Sequence, residues 1–169
     1  MTQKSSWLLL LLLCFSSLLQ AETRIAVLDF ELKDLTLMPS TAAERKRTGS
    51  LKPLLQQELA NAGYAIVDID PKEQRRADSG FGYLFEHHDV AAQLGERHEA
   101  DYVVVGRLHK PSFLFAYLMV HLVRVKDGQL IGNFITESKG GEPKLTRKAV
   151  ESLAADITAM LEKHDRTPR

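Results

Sequence analysis

The sequence predicts an α/β fold, with α+β as the variant it also allows: one mixed sheet of about five strands, two main helices and one short helix packed on it, and a β-hairpin followed by a carboxy-terminal helix. Three observations lead there. Short apolar runs rich in β-branched residues recur, as R-I-A-V-L-D-F from Arg24, Y-A-I-V-D-I from Tyr64 and D-Y-V-V-V-G-R-L-H from Asp101. A long stretch of helical periodicity separates the first two and another closes the chain. Asp127-Gly128, set between two strand-like runs, is a strong hairpin signal.

The elements follow in chain order. Arg24 to Phe30 is dense enough in Ile, Val and Leu for burial on both faces, which places it centrally in the sheet. Glu31 to Pro39 reads as a long connection carrying Asp34 beside Leu35, Leu37 and Met38. Thr41 with Glu44 three residues on is a capping box, and Leu51, Leu54, Leu55, Leu59 and Ala62 then fall on one helical face that Gly63 closes. Gly49 and Pro53 inside that helix imply a kink or a fresh start capped by Ser50. After the strand Tyr64 to Ile69, the charges and glycines from Lys72 to His88 read as a surface excursion. Asp89 then caps a short helix holding Val90, Ala91 and Leu94. Asp101 to His109, Phe113 to Val125 and Leu130 to Glu137 are the remaining strands. A two-residue turn would set Val125 opposite Leu130 and His121 opposite Phe134. Val150, Leu153, Ala154, Ile157 and Leu161 form the stripe of the last helix.

The first 21 residues have the plan of a secretory signal: Lys4, the apolar run Trp7 to Phe15, then Ser16 to Ala21 ahead of Glu22. The run is too short for the ~20 apolar residues of a membrane-spanning helix. Leu11, Leu12 and Leu13 precede Cys14, where a lipid-carrying cysteine calls for a small residue, so Cys14 is expected to leave with the signal. Residues 22–169 are then one domain, large enough for a core and free of cysteine, which excludes thiol catalysis and cysteine metal sites. The 22 basic and 22 acidic residues balance, so charge makes no case for nucleic acid or anionic lipid as the main partner. The expected compartment is the periplasm.

Four stretches, I-A-V-L-D-F (25–30), L-x-x-L-L-x-x-x-L-x-x-x-G-Y-x-I-V-D (51–68), L-G-x-x-x-x-A-D-Y-V-V-V-G-R-L (94–108) and V-R-V-K-D-G-Q-L-I-G (123–132), together resemble a group of bacterial envelope domains. That group includes the amino-terminal domain of TolB, the curli secretion protein CsgG and the lipoprotein activators of penicillin-binding proteins. The sequence is similar also to an uncharacterised family of small secreted bacterial proteins carrying a domain of unknown function. The resemblance implies binding of other envelope proteins, or of further copies of the chain, rather than chemistry; without transmembrane hairpins or propeller repeats it does not imply pore formation.

Candidate residues remain open between readings. His87, His88 and Asp89, with His98 and Glu99 beyond, have ligand chemistry suited to zinc or copper, but no H-x-x-x-H pair sets two on one face, so no metal site is assigned. His109 and His121 would approach one another if their strands pair, which would make a pH-sensitive spot. Asp29, Glu31 and Asp34 follow the first strand, where such sheets open a ligand crevice; they read as a ligand-binding set or as charge bordering a buried strand. Lys139-Gly140-Gly141 with Lys144, Arg147 and Lys148 places cations at a helix start, but there is no phosphate loop, nucleophile elbow or dinucleotide motif, and no cofactor is expected. Phe113, Phe115, Tyr117 and Met119 alternate with further apolar residues, so one face of that strand asks for cover by a partner or by a second internal layer. The function expected is that of a noncatalytic periplasmic adaptor or assembly factor; the alternative is a carrier of a small ligand or metal.

Overall fold

A computed structural model describes residues 22–165, so the expected signal segment with Cys14 lies outside the described residues. Its axis is β4 (Tyr102–Lys110), buried from Tyr102 to Leu108. Val103 and Val105 enter one apolar layer, and Tyr102, Val104 and Leu108 the other. A strand with no polar face needs neighbours on both edges and cover on both sides. On one edge β4 pairs in parallel with β1 (Arg24–Val27) and, further along, with β2 (Glu31–Asp34). On the other edge it pairs antiparallel with β5 (Tyr117–Arg124), which pairs antiparallel with β6 (Leu130–Glu137). β3 (Ala65–Val67) lies outside β1, in parallel. The sheet is mixed and six-stranded, in the order β3-β1-β4-β5-β6.

The sixth strand, β2, falls where the sequence reads as a connection. E-L-K-D has no alternation of its own, and its extended state comes from the open edge of β4 at Arg107 to Lys110. β5 begins at Tyr117 rather than Phe113, so residues 113–116 belong to a loop.

Five helices cover the two faces. α1 (Ala42–Asn61) starts where expected, with the Thr41 hydroxyl accepting from the Glu44 amide. It runs unbroken through Pro53: that residue is exposed, so water can serve the carbonyl its ring leaves unbonded. The Ser50 hydroxyl donates to the Arg47 carbonyl and starts no new helix. α5 (Pro143–Asp165) lies alongside α1 and runs in the same direction, since Arg47 meets Thr146 near the start of both. Together they cover one face, burying Leu51, Leu55 and Leu59 against Val150, Leu153 and Ile157.

The opposite face carries α2 (Pro71–Ala77), α3 (Tyr83–Glu86) and α4 (His88–Glu96). α2 replaces part of the expected irregular excursion: the Asp70 carboxylate caps it by accepting from the Lys72 amide at 2.7 Å, with Pro71 in the first turn. α4 begins one residue before the expected cap, so Asp89 lies inside its first turn.

The hairpin differs from the two-residue turn. Gly128 donates to the Arg124 carbonyl, Arg124 donates to that of Gln129, and the Arg124 guanidinium reaches the Asp127 carboxylate at 2.7 Å. This longer loop and a bulge at Leu122/Val123 shift the pairing, setting His121 opposite Asn133, Val120 opposite Phe134 and Val123 opposite Leu130.

Gly106 marks the tightest close approach in β4: a Cβ there would lie 2.3 Å from the Phe30 ring. Gly106→Ala is therefore expected to displace Phe30 and lower stability by about 1–3 kcal/mol, measured by urea unfolding.

Candidate functional site

One end of the sheet gathers the carboxyl ends of β2, β4 and β6 with the start of β5, and α1 and α5 begin there too. The Leu35 amide donates to the Lys110 carbonyl at 2.9 Å and the Ser138 amide to the Ala116 carbonyl at 2.7 Å, which ties the three loops of this end to one another. On two of them stand Leu35, Leu37, Met38, Phe113, Leu114 and Phe115, all exposed; Leu37 is 93% and Leu114 72% accessible. Elsewhere among the described residues only four other large apolar side chains are exposed, so this end holds most of the domain's uncovered apolar surface. That concentration makes this end the candidate site.

Polar bonds hold the tips from behind. The Asp34 carboxylate accepts from the Thr36 amide and hydroxyl at 3.1 and 2.7 Å and from the Ser40 amide at 3.0 Å. Burial pushes its pKa up, but these bonds and the Lys110 charge outweigh it and hold the carboxyl below its usual range. The Ser112 hydroxyl accepts from the Phe115 amide at 3.2 Å, and the Lys110 ammonium lies 5.8 Å from the Phe113 ring centroid. Beneath, Lys110 pairs with Glu44 at 2.7 Å, and Arg47 reaches Glu44 at 3.5 Å, the Ser138 hydroxyl at 2.7 Å and the Thr146 hydroxyl at 3.1 Å.

The structure divides the expected partner surface. Phe113 and Phe115 stand in this patch, whereas Tyr117 and Met119 lie half-buried on β5, with Met119 packed against the layer of α2 to α4. Leu35, Leu37 and Met38, across from them, join the patch because β2 brings their loop alongside β4.

The acidic trio is parted in the same way. Asp29 pairs with Lys52 at 3.3 Å while its backbone exchanges two hydrogen bonds with Gln74. Glu31 pairs with the largely buried Arg107 at 3.0 Å and accepts from the Gly82 amide. Asp34 organises its loop. His87 stacks on Tyr83, and Asp89 lies in the first turn of α4.

His88 meets His121 rather than its sequence neighbours: the His88 Nε2 and His121 Nδ1 are 2.9 Å apart, the latter is also 3.0 Å from the Phe85 carbonyl, and the His121 ring stacks on Phe85 at 3.8 Å. A single Nδ1–H on His121, shared between the Phe85 carbonyl and the His88 nitrogen, accounts for both contacts with both rings neutral. His109 faces Tyr117 and His121 faces Val105, so these two do not pair across the strands. His98 pairs with Glu73, and Glu99 with Arg24. Among the described residues no three His, Cys, Asp or Glu side chains converge as a metal site would require.

Residues 23–157 match the DUF3280 family model, described as a protein of unknown function (DUF2380). The PelC dodecamer from Paraburkholderia phytofirmans shares the fold, with a TM-score of 0.53 and 15% identity over 83% of this chain and 87% of that one. Lipoprotein GNA1162 from Neisseria meningitidis has a TM-score of 0.51 and 12% identity, covering 87% of this chain and 99% of that one. TolB from Acinetobacter baumannii has a TM-score of 0.52 and 14% identity over 83% of this chain, which spans 28% of that longer protein. These likenesses show the fold. No curated protein matches the chain.

Burial is the main cause lowering the pKa of His121; the Phe85 carbonyl and Glu86 oppose it, while His88 and Arg107 add to it. The folded ring thus resists protonation that the unfolded chain accepts near its ordinary pKa of about 6.5. This group leaves stability unchanged above that pH and lowers it as pH falls through that value. His121→Gln should flatten the decline in the thermal unfolding midpoint between about pH 7 and 5, where the wild-type protein loses stability.

Proposed function

The chain belongs to the DUF3280 family of proteins of unknown function, and on that footing we propose that it is a noncatalytic accessory protein of the bacterial envelope that binds a protein partner through the apolar end of its sheet. The observation that carries this reading is the gathering of Leu35, Leu37, Met38, Phe113, Leu114 and Phe115 on adjoining loops. The partner is an envelope or periplasmic protein, or a second copy of the chain, and it would supply the cover these side chains lack. The likeness to a lipoprotein and to the subunit of a dodecamer agrees with such a role without identifying the partner.

The reading takes residues 1–21 as a secretory signal and 22–169 as the single mature domain, held in the periplasm without a lasting anchor. Among the described residues no helix is long and apolar enough to cross a membrane. Amino-terminal sequencing of protein recovered from the envelope should begin at Glu22; a lipid-modified terminus at Cys14 would contradict this.

A photoreactive residue placed at Leu37 or Phe113 should capture the same discrete protein in living cells, whereas one at Lys126 in the β5–β6 turn should not. Leu37→Ser with Phe113→Ser should abolish that adduct, monitored from a third position at Leu114, while changing folding stability by less than about 0.5 kcal/mol per site. Capture from Lys126 alone would refute the assignment of the surface.

A further inference from the structure

We propose that the occupant of the apolar end is a second copy of the chain, which presents to it the α2–α4 side of β5 and β6. The inference rests on the reading of that end as a binding surface, and it begins from the way charge is divided over the molecule. The 22 basic and 22 acidic residues balance in the whole chain but not locally. At the apolar end, residues 33–47, 109–117 and 137–148 carry nine Lys and Arg against four Asp and Glu. Two of those acids are turned inward, since Asp34 holds its own loop and Glu44 is buried between Arg47 and Lys110. Lys46, Lys139, Lys144, Arg147 and Lys148 are exposed there and enter no ion pair among the described residues. The layer of α2 to α4 has the inverse make-up. Residues 68–101 carry nine Asp and Glu against four Lys and Arg, and of these Glu86, Asp89 and Glu96 are exposed and without an ion pair among the described residues.

The same side bears the largest apolar exposure found elsewhere among the described residues. Phe81, in the α2–α3 loop, is 63% accessible and Ile135, on β6, is 60% accessible. Ile135 stands opposite Met119, which packs against that layer, so the two share the face of the sheet on which α2 to α4 lie. Glu137, two residues further along β6, takes the same face by strand alternation. Glu86 approaches from α3, close enough for its charge to act on His121, two residues along β5 from Met119. Apolar loops with a cationic surround thus have a counterpart on the same polypeptide, an apolar face with an anionic surround. Charge decides which surfaces meet. Two copies joined end to end would set cation against cation, whereas end against side joins opposite charges and covers both apolar sets. Each protomer then uses two different surfaces, which makes the contact heterologous.

Sedimentation of protein expressed from the full gene tests this. Self-association that grows with concentration is expected, weaker by about tenfold when salt rises from about 0.05 M to about 0.5 M. Lys139→Glu with Lys144→Glu, and separately Glu86→Lys with Glu137→Lys, should each weaken it by about tenfold with the unfolding midpoint unchanged. A mixture of the two double variants should associate again, because the acidic end of one now matches the basic side of the other. A monomer at every concentration, undiminished association of either double variant, or a mixture that stays apart would overturn the inference. In cells, a photoreactive residue at Leu37 should join two copies, shown by co-expressing copies that carry different tags. An adduct with another protein overturns the second copy as occupant and leaves the surface standing. No adduct from Leu37 or Phe113 overturns the surface itself.

Discussion

Burial of β4 on both faces is the constraint on which the rest depends. A strand whose side chains are apolar to left and right cannot lie at an edge or face water, so it imposes both the paired neighbours and the two helical layers. The layers differ in kind. α1 and α5 are long and cover one face with leucine and isoleucine, whereas α2 to α4 are short and leave the outer parts of β5 and β6 partly bare. Where β4 leaves the core, its side chains become Arg107 and Lys110, and each charge is met by a residue that topology delivers. Glu31 on β2 reaches Arg107, whose guanidinium also lies 4.3 Å from the Phe85 ring centroid. Glu44 on α1 reaches Lys110. The end of the sheet is therefore organised by the way the central strand's charges are satisfied.

What was legible in the sequence follows from how local each signal is. β1, β4, α1 and α5 declare themselves through periodicity within a few turns or residues. β2 does not, because its four residues take extended form from the neighbouring strand rather than from their own pattern. α2 is legible in part: Asp70-Pro71, directly after the strand Tyr64 to Ile69, is a cap followed by the residue type favoured in a first turn. The hairpin shows the opposite limit. Asp127-Gly128 located it, but the Arg124–Asp127 contact lengthens the turn and shifts the pairing that a two-residue turn would impose.

The candidate sites divide along the same line. Apolar excess around Phe113 and Phe115 was visible, yet its companions Leu35, Leu37 and Met38 meet it only because β2 lies beside β4. Glu44, Arg47 and Lys110 had no common signature, since Arg47 meets a threonine 99 positions away. The histidines regroup as well: His88 finds His121, 33 positions on, while its neighbour His87 turns to Tyr83.

The apolar tips differ from a frayed loop in one respect that matters for binding. Their backbones are fixed by groups that do not belong to the patch: Asp34 gathers three hydrogen bonds behind Leu35 and Leu37, Ser112 turns the chain at Phe115, and the Ser138 amide binds the Ala116 carbonyl. The side chains are thus presented to water by a polar scaffold, and a partner that covers them meets loops already shaped. Ordering cost on association falls accordingly, and more of the apolar burial remains as net affinity. Because burial is outweighed by its hydrogen bonds and the Lys110 charge, which hold the Asp34 carboxyl below the usual carboxylate range, that scaffold persists as the pH falls toward that range.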